Sequence, residues 1–158
     1  MRRVIATIGA IFAVIAGGIA FAPTASAAGY GCSGNLIDTY PAKTTGGTQY
    51  GVVQLYYSTA NGGTNCAVLI DTYFGSGVAK SMNVGIYRCV AGTTAGGNCD
   101  GKNFDLHQLD SGTYTSYAGP VSVTGTSSRC ISLLAYEDNP NSSDPNSFAG
   151  FSTVALHC

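Results

Sequence analysis

Six cysteines (Cys32, Cys66, Cys89, Cys99, Cys130 and Cys158) follow an N-terminal stretch built like an export signal. No other feature limits the possible folds so strongly. Arg2 and Arg3 supply a positive n-region, Val4 to Ala22 is apolar and uncharged, and Pro23 breaks it before the small-residue pattern Ala25-Ser26-Ala27. This pattern predicts a signal peptide over residues 1–27 and one secreted domain over 28–158. The arginine pair lacks the flanking residues of a twin-arginine signal, so the expected route is general secretion of an unfolded chain. In an oxidising compartment an even set of thiols closes into disulfides. A metal site is disfavoured, because no C-x₂₋₄-C pair occurs and His107 and His157 are the only histidines.

Six cysteines allow fifteen pairings. Cys89 ends a strand-like run and the Gly/Thr-rich stretch Thr93 to Asn98 turns the chain back, which favours Cys89–Cys99. Cys32–Cys66 and Cys130–Cys158 are the natural remainder, the last tying down a terminus that would otherwise fray.

Hydrophobic periodicity then sets the fold class. Tyr50 to Tyr57 and Cys66 to Tyr73 are β-branched and aromatic runs separated by Asn61-Gly62-Gly63, a hairpin signature. Lys80 to Cys89 alternates most cleanly, with Met82, Val84 and Ile86 on one face and Asn83, Gly85 and Tyr87 on the other. Phe104 to Leu109, Thr113 to Val123, Arg129 to Tyr136 and Phe148 to Cys158 follow, and Leu36 to Tyr40 opens the set. No stretch after residue 27 shows a helical stripe. The expected fold is all-β: an antiparallel sandwich or Greek-key barrel of seven or eight short strands, stabilised by disulfides. Glu137 to Ser147, with two prolines among Asn, Ser and Asp, reads as a solvated surface loop. It carries acidic and amide oxygens but not the spaced ligand pattern of a calcium loop.

Charge excludes further classes. Only 9% of residues are charged, against roughly a quarter in average proteins. From Ala28 onward, five basic and eight acidic side chains give a net charge of −3. A basic footprint for nucleic acid is therefore missing, and the predicted domain has no membrane segment once the signal is removed. His107 near Asp105 or Asp110 is the one arrangement that hints at a general base. The phase of the strand puts Asp105 and His107 together, opposite Phe104 and Leu106, and no nucleophile motif accompanies them. They read as ordinary solvent-facing strand residues, and His157, beside a terminal cystine, as structural. Asp38, Asp71, Asp100 and Asp110 mostly abut turns, where Asx hydrogen bonding accounts for them. No catalytic residue and no cofactor is expected. Arg88 beside Cys89 offers the alternative of a protease inhibitor with a basic specificity residue. Its place on an alternating strand argues for a structural role.

Ten tyrosines remain as the most suggestive feature, since tyrosine joins a large contact surface to a polar tip. It is also a good strand residue. A carbohydrate ligand has little support, because tryptophan is absent.

The blocks Gly51 to Ser58 (G-V-V-Q-L-Y-Y-S), Asn61 to Ile70 (N-G-G-T-N-C-A-V-L-I) and Asp110 to Val123 (D-S-G-T-Y-T-S-Y-A-G-P-V-S-V) occur in that order. In them the chain resembles the secreted spore-associated protein A family of filamentous actinobacteria. That resemblance implies an extracellular, cell- or spore-surface protein with no assigned catalytic residues. The Glu137 to Ser147 loop and the ending at Cys158 depart from the family pattern. The chain is also similar, more distantly, to the small adaptor subunit of secreted umbrella toxin particles. This second likeness implies a disulfide-bonded β protein that joins other subunits through an N-terminal segment and strand-type contacts. Here that segment would be the Gly-containing start, Ala28 to Lys43, extending from the body to join a partner's sheet edge. The function expected from the sequence is non-enzymatic binding of another secreted or cell-surface protein.

Overall fold

Period-two alternation becomes eight antiparallel strands in the computed structural model, which describes residues 29–144 and 146–158. The predicted signal peptide lies outside the described residues. The strands are β1 (Asn35–Lys43), β2 (Gln49–Ser58), β3 (Thr64–Asp71), β4 (Lys80–Cys89), β5 (Phe104–Tyr114), β6 (Tyr117–Thr124), β7 (Ile131–Asp138) and β8 (Phe148–Ser152). Two short 3-10 turns, Gly29–Gly31 and Ala60–Gly62, are the only helical elements among the described residues.

One sheet runs in the order β5-β4-β7-β8-β1-β2-β3-β6 and curls into a nearly closed barrel. Its two halves are joined narrowly. Between β8 and β1 the ladder has a single register pair, Lys43 with Gly150. Tyr40 stacks on Phe151 beside it, with ring centroids 4.9 Å apart. Between β5 and β6 no ladder forms, and side chains close the gap instead. The Gly119 amide donates to Asp110 Oδ2 at 2.6 Å, and the Ser122 amide to Gln108 Oε1 at 3.0 Å. Arg88 Nη1 reaches from β4 to the Thr124 carbonyl at 2.7 Å.

The interior is filled by the inward phase of each strand. Val53 and Leu55, Ala67 and Leu69, Met82, Val84 and Ile86, Val121 and Val123, and Ile131, Leu133 and Ala135 form one continuous core. Each fully buried branched aliphatic side chain contributes about 1.5–3 kcal/mol. Three cystines staple the periphery: Cys32–Cys66 holds the first turn against β3, Cys89–Cys99 closes the loop after β4, and Cys130–Cys158 fixes the C-terminal residue at the start of β7.

Four expected segments differ from the structure. Thr113 to Val123 is not one strand: the chain turns at Thr115-Ser116, so Thr113 and Tyr114 end β5 and Tyr117 begins β6. The turn is held by distant donors, the Asp71 amide to the Ser116 carbonyl (2.9 Å) and Lys80 Nζ to the Thr115 carbonyl (3.2 Å). The last strand stops at Ser152, and the tail beyond it continues as loop, with one isolated bridge between Ile131 and Leu156 and an amide exchange of Ala155 with Gly96 and Gly97. Glu137 and Asp138 belong to β7 rather than to the following loop, and Glu137 is completely buried. The segment from Gly29 to Lys43 does not reach away from the body. Tyr30 packs edge-on against Tyr117, Cys32 is tied to Cys66, and Asn35–Lys43 is β1, paired along β2.

Candidate functional site

The outer face of β5, β4 and β7 is laid out by register. Gly85 in the central strand has Leu109 opposite on β5 and Leu134 opposite on β7. Two residues along, Tyr87 has His107 and Ser132 as its partners. Successive rows on one face are therefore Leu109–Gly85–Leu134 and His107–Tyr87–Ser132. Gly85 lacks the side chain that would fill the middle of its row: a Cβ there would meet Leu109 Cδ1 at 3.0 Å and the Tyr87 ring at 3.3 Å. Leu109 and Tyr87 lean over the glycine instead, and beside them lies a cleft of about 580 Å³ lined by Tyr87, Phe104, His107, Leu109 and Leu134 together with Asp100 and Ser132. Leu109 is 52% exposed and Leu134 37%.

Phe104 reaches this face because the strand is not regular. The register with β4 shifts between Arg88 and Cys89, placing a bulge at Asp105. The bulge reverses the alternation ahead of it. Phe104 thus joins His107, with ring centroids 5.0 Å apart, whereas uninterrupted alternation sets it opposite. Tyr87 stacks on His107 at 5.7 Å and meets Phe104 edge-on at 5.0 Å, completing an aromatic triad. Leu106 turns to the core.

The carboxylates near His107 are committed elsewhere. Asp105 bridges Arg88 Nε (2.8 Å) and Arg129 Nη2 (2.6 Å), and these two guanidinium groups hold its carboxyl below the usual range. Asp110 accepts from the Tyr114 hydroxyl (2.6 Å) and the Gly119 amide. Its hydrogen bond is the main reason the Tyr114 phenol is pushed up. Neither carboxylate orients the imidazole. Arg88 is spent on Asp105 and Thr124, so it holds the barrel together rather than projecting from a loop. His157 contacts Tyr40 Oη (3.0 Å) and Asp38 (3.3 Å) at the edge of β1. Tyr40 also donates to Asp38 at 2.7 Å and lowers that carboxyl, while burial and then Asp38 raise the Tyr40 phenol.

In the loop after β7, Asx hydrogen bonds organise the chain: Asn139 Oδ1 accepts from the Asn141 amide and Asp144 Oδ1 from the Asn146 amide. Among the described residues no three His, Cys, Asp or Glu side chains gather to hold a metal ion.

A second cluster lies inside the barrel, at the end of β3 and the start of β4. Lys80 Nζ stands 3.0 Å from Asp71 Oδ2 with both side chains enclosed. It also donates to the Val78 carbonyl at 2.8 Å and lies 5.9 Å from the Phe74 ring centroid. Burial raises Asp71, but the Tyr73 and Phe74 amides and Lys80 outweigh it and leave the carboxyl below its ordinary value. Glu137 points into the same space, and no donor reaches either of its oxygens. Burial, then the charge of Asp71, pushes Glu137 up to about 8. Register could have placed these groups. Lys80 is in phase with Met82, Val84 and Ile86, and Glu137 with Ile131, Leu133 and Ala135.

Comparison with protein-family models, with curated proteins and with solved structures gives no match. Three disulfides suit an oxidising environment, and no helix among the described residues is long and apolar enough to cross a membrane.

Proposed function

We propose that this chain is a small secreted, non-enzymatic binding protein that docks another secreted or cell-surface protein on the outer face of β5, β4 and β7. The observation that carries this reading is the cleft lined by Tyr87, Phe104, His107, Leu109 and Leu134 on that face. Interface centres favour such aromatic residues, and small apolar anchors fit a slot of this kind. Serine and threonine at the rim (Ser132, Ser152 and Thr153) supply polar contacts around it. The predicted signal peptide and the cystines agree with export. The likeness to spore-associated proteins points toward the cell or spore surface.

A second reading, an adaptor within a secreted complex, is favoured by one separate feature. Beyond Lys43, no strand among the described residues pairs the outer edge of β1. Leu36 and Ile37 on that strand are 49% and 40% exposed. An unpaired edge with apolar side chains suits addition of a partner strand. In this reading β1 itself is the docking element rather than a free N-terminal arm.

Native mass spectrometry of the protein with its co-secreted proteins separates the two. Leu109→Asp or Tyr87→Ala should abolish the complex if the cleft binds, with Ile37→Asp retaining it. The reverse pattern supports the β1 edge. A complex that survives all three changes would overturn both readings.

A further inference from the structure

Lys80, Asp71 and Glu137 meet in the barrel interior where nothing in the proposed binding role requires them. Three ionisable groups in one apolar enclosure are costly unless each is paired. Lys80 and Asp71 satisfy one another at 3.0 Å, whereas no donor reaches either oxygen of Glu137, whose protonated carboxyl has Asp71 as its acceptor. The enclosure is shaped to hold that carboxyl. Gly51 is the cross-strand partner of Asp71, and a Cβ on it would lie 2.6 Å from Glu137 Oε2. Glu137 thus occupies the side-chain space beside Asp71 that Gly51 leaves open. It stands opposite Met82, two residues along β4 from Lys80 and on the same face. Phe74 closes the site next to the amine, with Tyr50 edge-on against Phe74 at 4.8 Å.

We propose that Lys80 and Asp71 condense to an intramolecular isopeptide bond, with Glu137 relaying the protons. An amine and a carboxyl held at contact distance with water excluded have the proximity that makes such a condensation effectively unimolecular. Within the ion pair a proton passes from ammonium to carboxylate, and the freed Nζ lone pair attacks Asp71 Cγ. The C–N bond forms and a tetrahedral centre results. Glu137, protonated as burial favours, gives its proton to the departing hydroxyl and takes one from nitrogen, so it ends as it began. One C–O bond breaks and one water leaves. No oxidant or co-reactant is needed, and one positive and one negative charge disappear together. The product is a neutral amide in an apolar pocket, which removes the cost of the buried pair.

The test is the intact mass of the folded wild-type protein with its cystines formed. It should fall about 18 Da, one water, below the mass of the same chain with three disulfides alone. After reduction and alkylation, trypsin should not cut at Lys80, so Thr44 to Arg88 should appear as one peptide carrying that deficit. Full mass together with cleavage at Lys80 in folded protein overturns the proposal. So does a water loss that leaves Lys80 cleavable, because that marks a succinimide at an aspartate. Lys80→Arg should restore full mass. Glu137→Gln should also do so while leaving the fold intact, and a variant that still loses water would overturn the relay.

Discussion

Replacing Glu137 by Gln should remove a pH dependence of stability that the wild-type protein carries. The side chain is fully buried and its pKa is pushed from 4.5 to about 8, chiefly by burial. Between those values the folded state holds a proton that the unfolded state releases, so stability falls as pH rises through the window. Each pKa unit corresponds to about 1.4 kcal/mol, which makes the full loss about 5 kcal/mol from pH 4.5 to pH 8. That is a large share of the stability of a small domain. Asp38 and Asp105 are held below 3.8, so they stay ionised throughout this range and add no slope of their own, and Asp71 adds none either as a carboxylate held below 3.8 or as an amide. Burial is the leading cause of the Glu137 shift, so the direction holds whether Asp71 is a carboxylate or an amide. The measurement is urea unfolding with cystines intact at pH 5, 6, 7 and 8 for wild type and Glu137→Gln. Wild type should weaken steadily while the variant stays level. Parallel lines for the two proteins would refute the reasoning.

Gly51→Ala should destabilise by about 1–3 kcal/mol, since the new Cβ would meet Glu137 Oε2 at 2.6 Å, the Ile70 carbonyl at 2.8 Å and Leu69 Cδ1 at 3.1 Å; the midpoint of thermal unfolding reports it. Changing Cys89 and Cys99 together to Ser opens a ten-residue separation and should cost about 2–3 kcal/mol in urea unfolding. Asp105→Asn should reduce stability by only about 1 kcal/mol, because the bridges to Arg88 and Arg129 lie at the surface. Its effect should fade as the pH drops below the lowered pKa of Asp105, where the wild-type carboxyl is also neutral.

Local rules account for much of this fold. The phase of β4, the Asn61-Gly62-Gly63 turn between β2 and β3, and the all-β class follow from residues close together in the chain. The failures share a cause in contacts that are distant in sequence. Tyr114 to Tyr117 contains no glycine or proline to announce a turn, and its carbonyls are satisfied by Asp71 and Lys80, on the paired strands β3 and β4 and far away in sequence. Glu137 looks like the polar beginning of a loop until Gly51, 86 positions earlier, leaves it room to enter the interior. The cleft depends on a single bulge at Asp105, which turns Phe104 to the side of His107. Alternation alone has no means of announcing a one-residue phase slip. The row Leu109–Gly85–Leu134 depends on the registers of three strands at once, which no single stretch of sequence contains.

Ladder hydrogen bonds are anonymous, since every residue except proline donates and accepts the same ones. The junction of β5 with β6 is different, because it is written in the identities of Gln108, Asp110 and Arg88. A barrel closed in this way can be unbuttoned one side chain at a time without disturbing its core. Substitutions at those three positions should loosen that seam alone, so the difference between a barrel and a sandwich rests here on a few side chains.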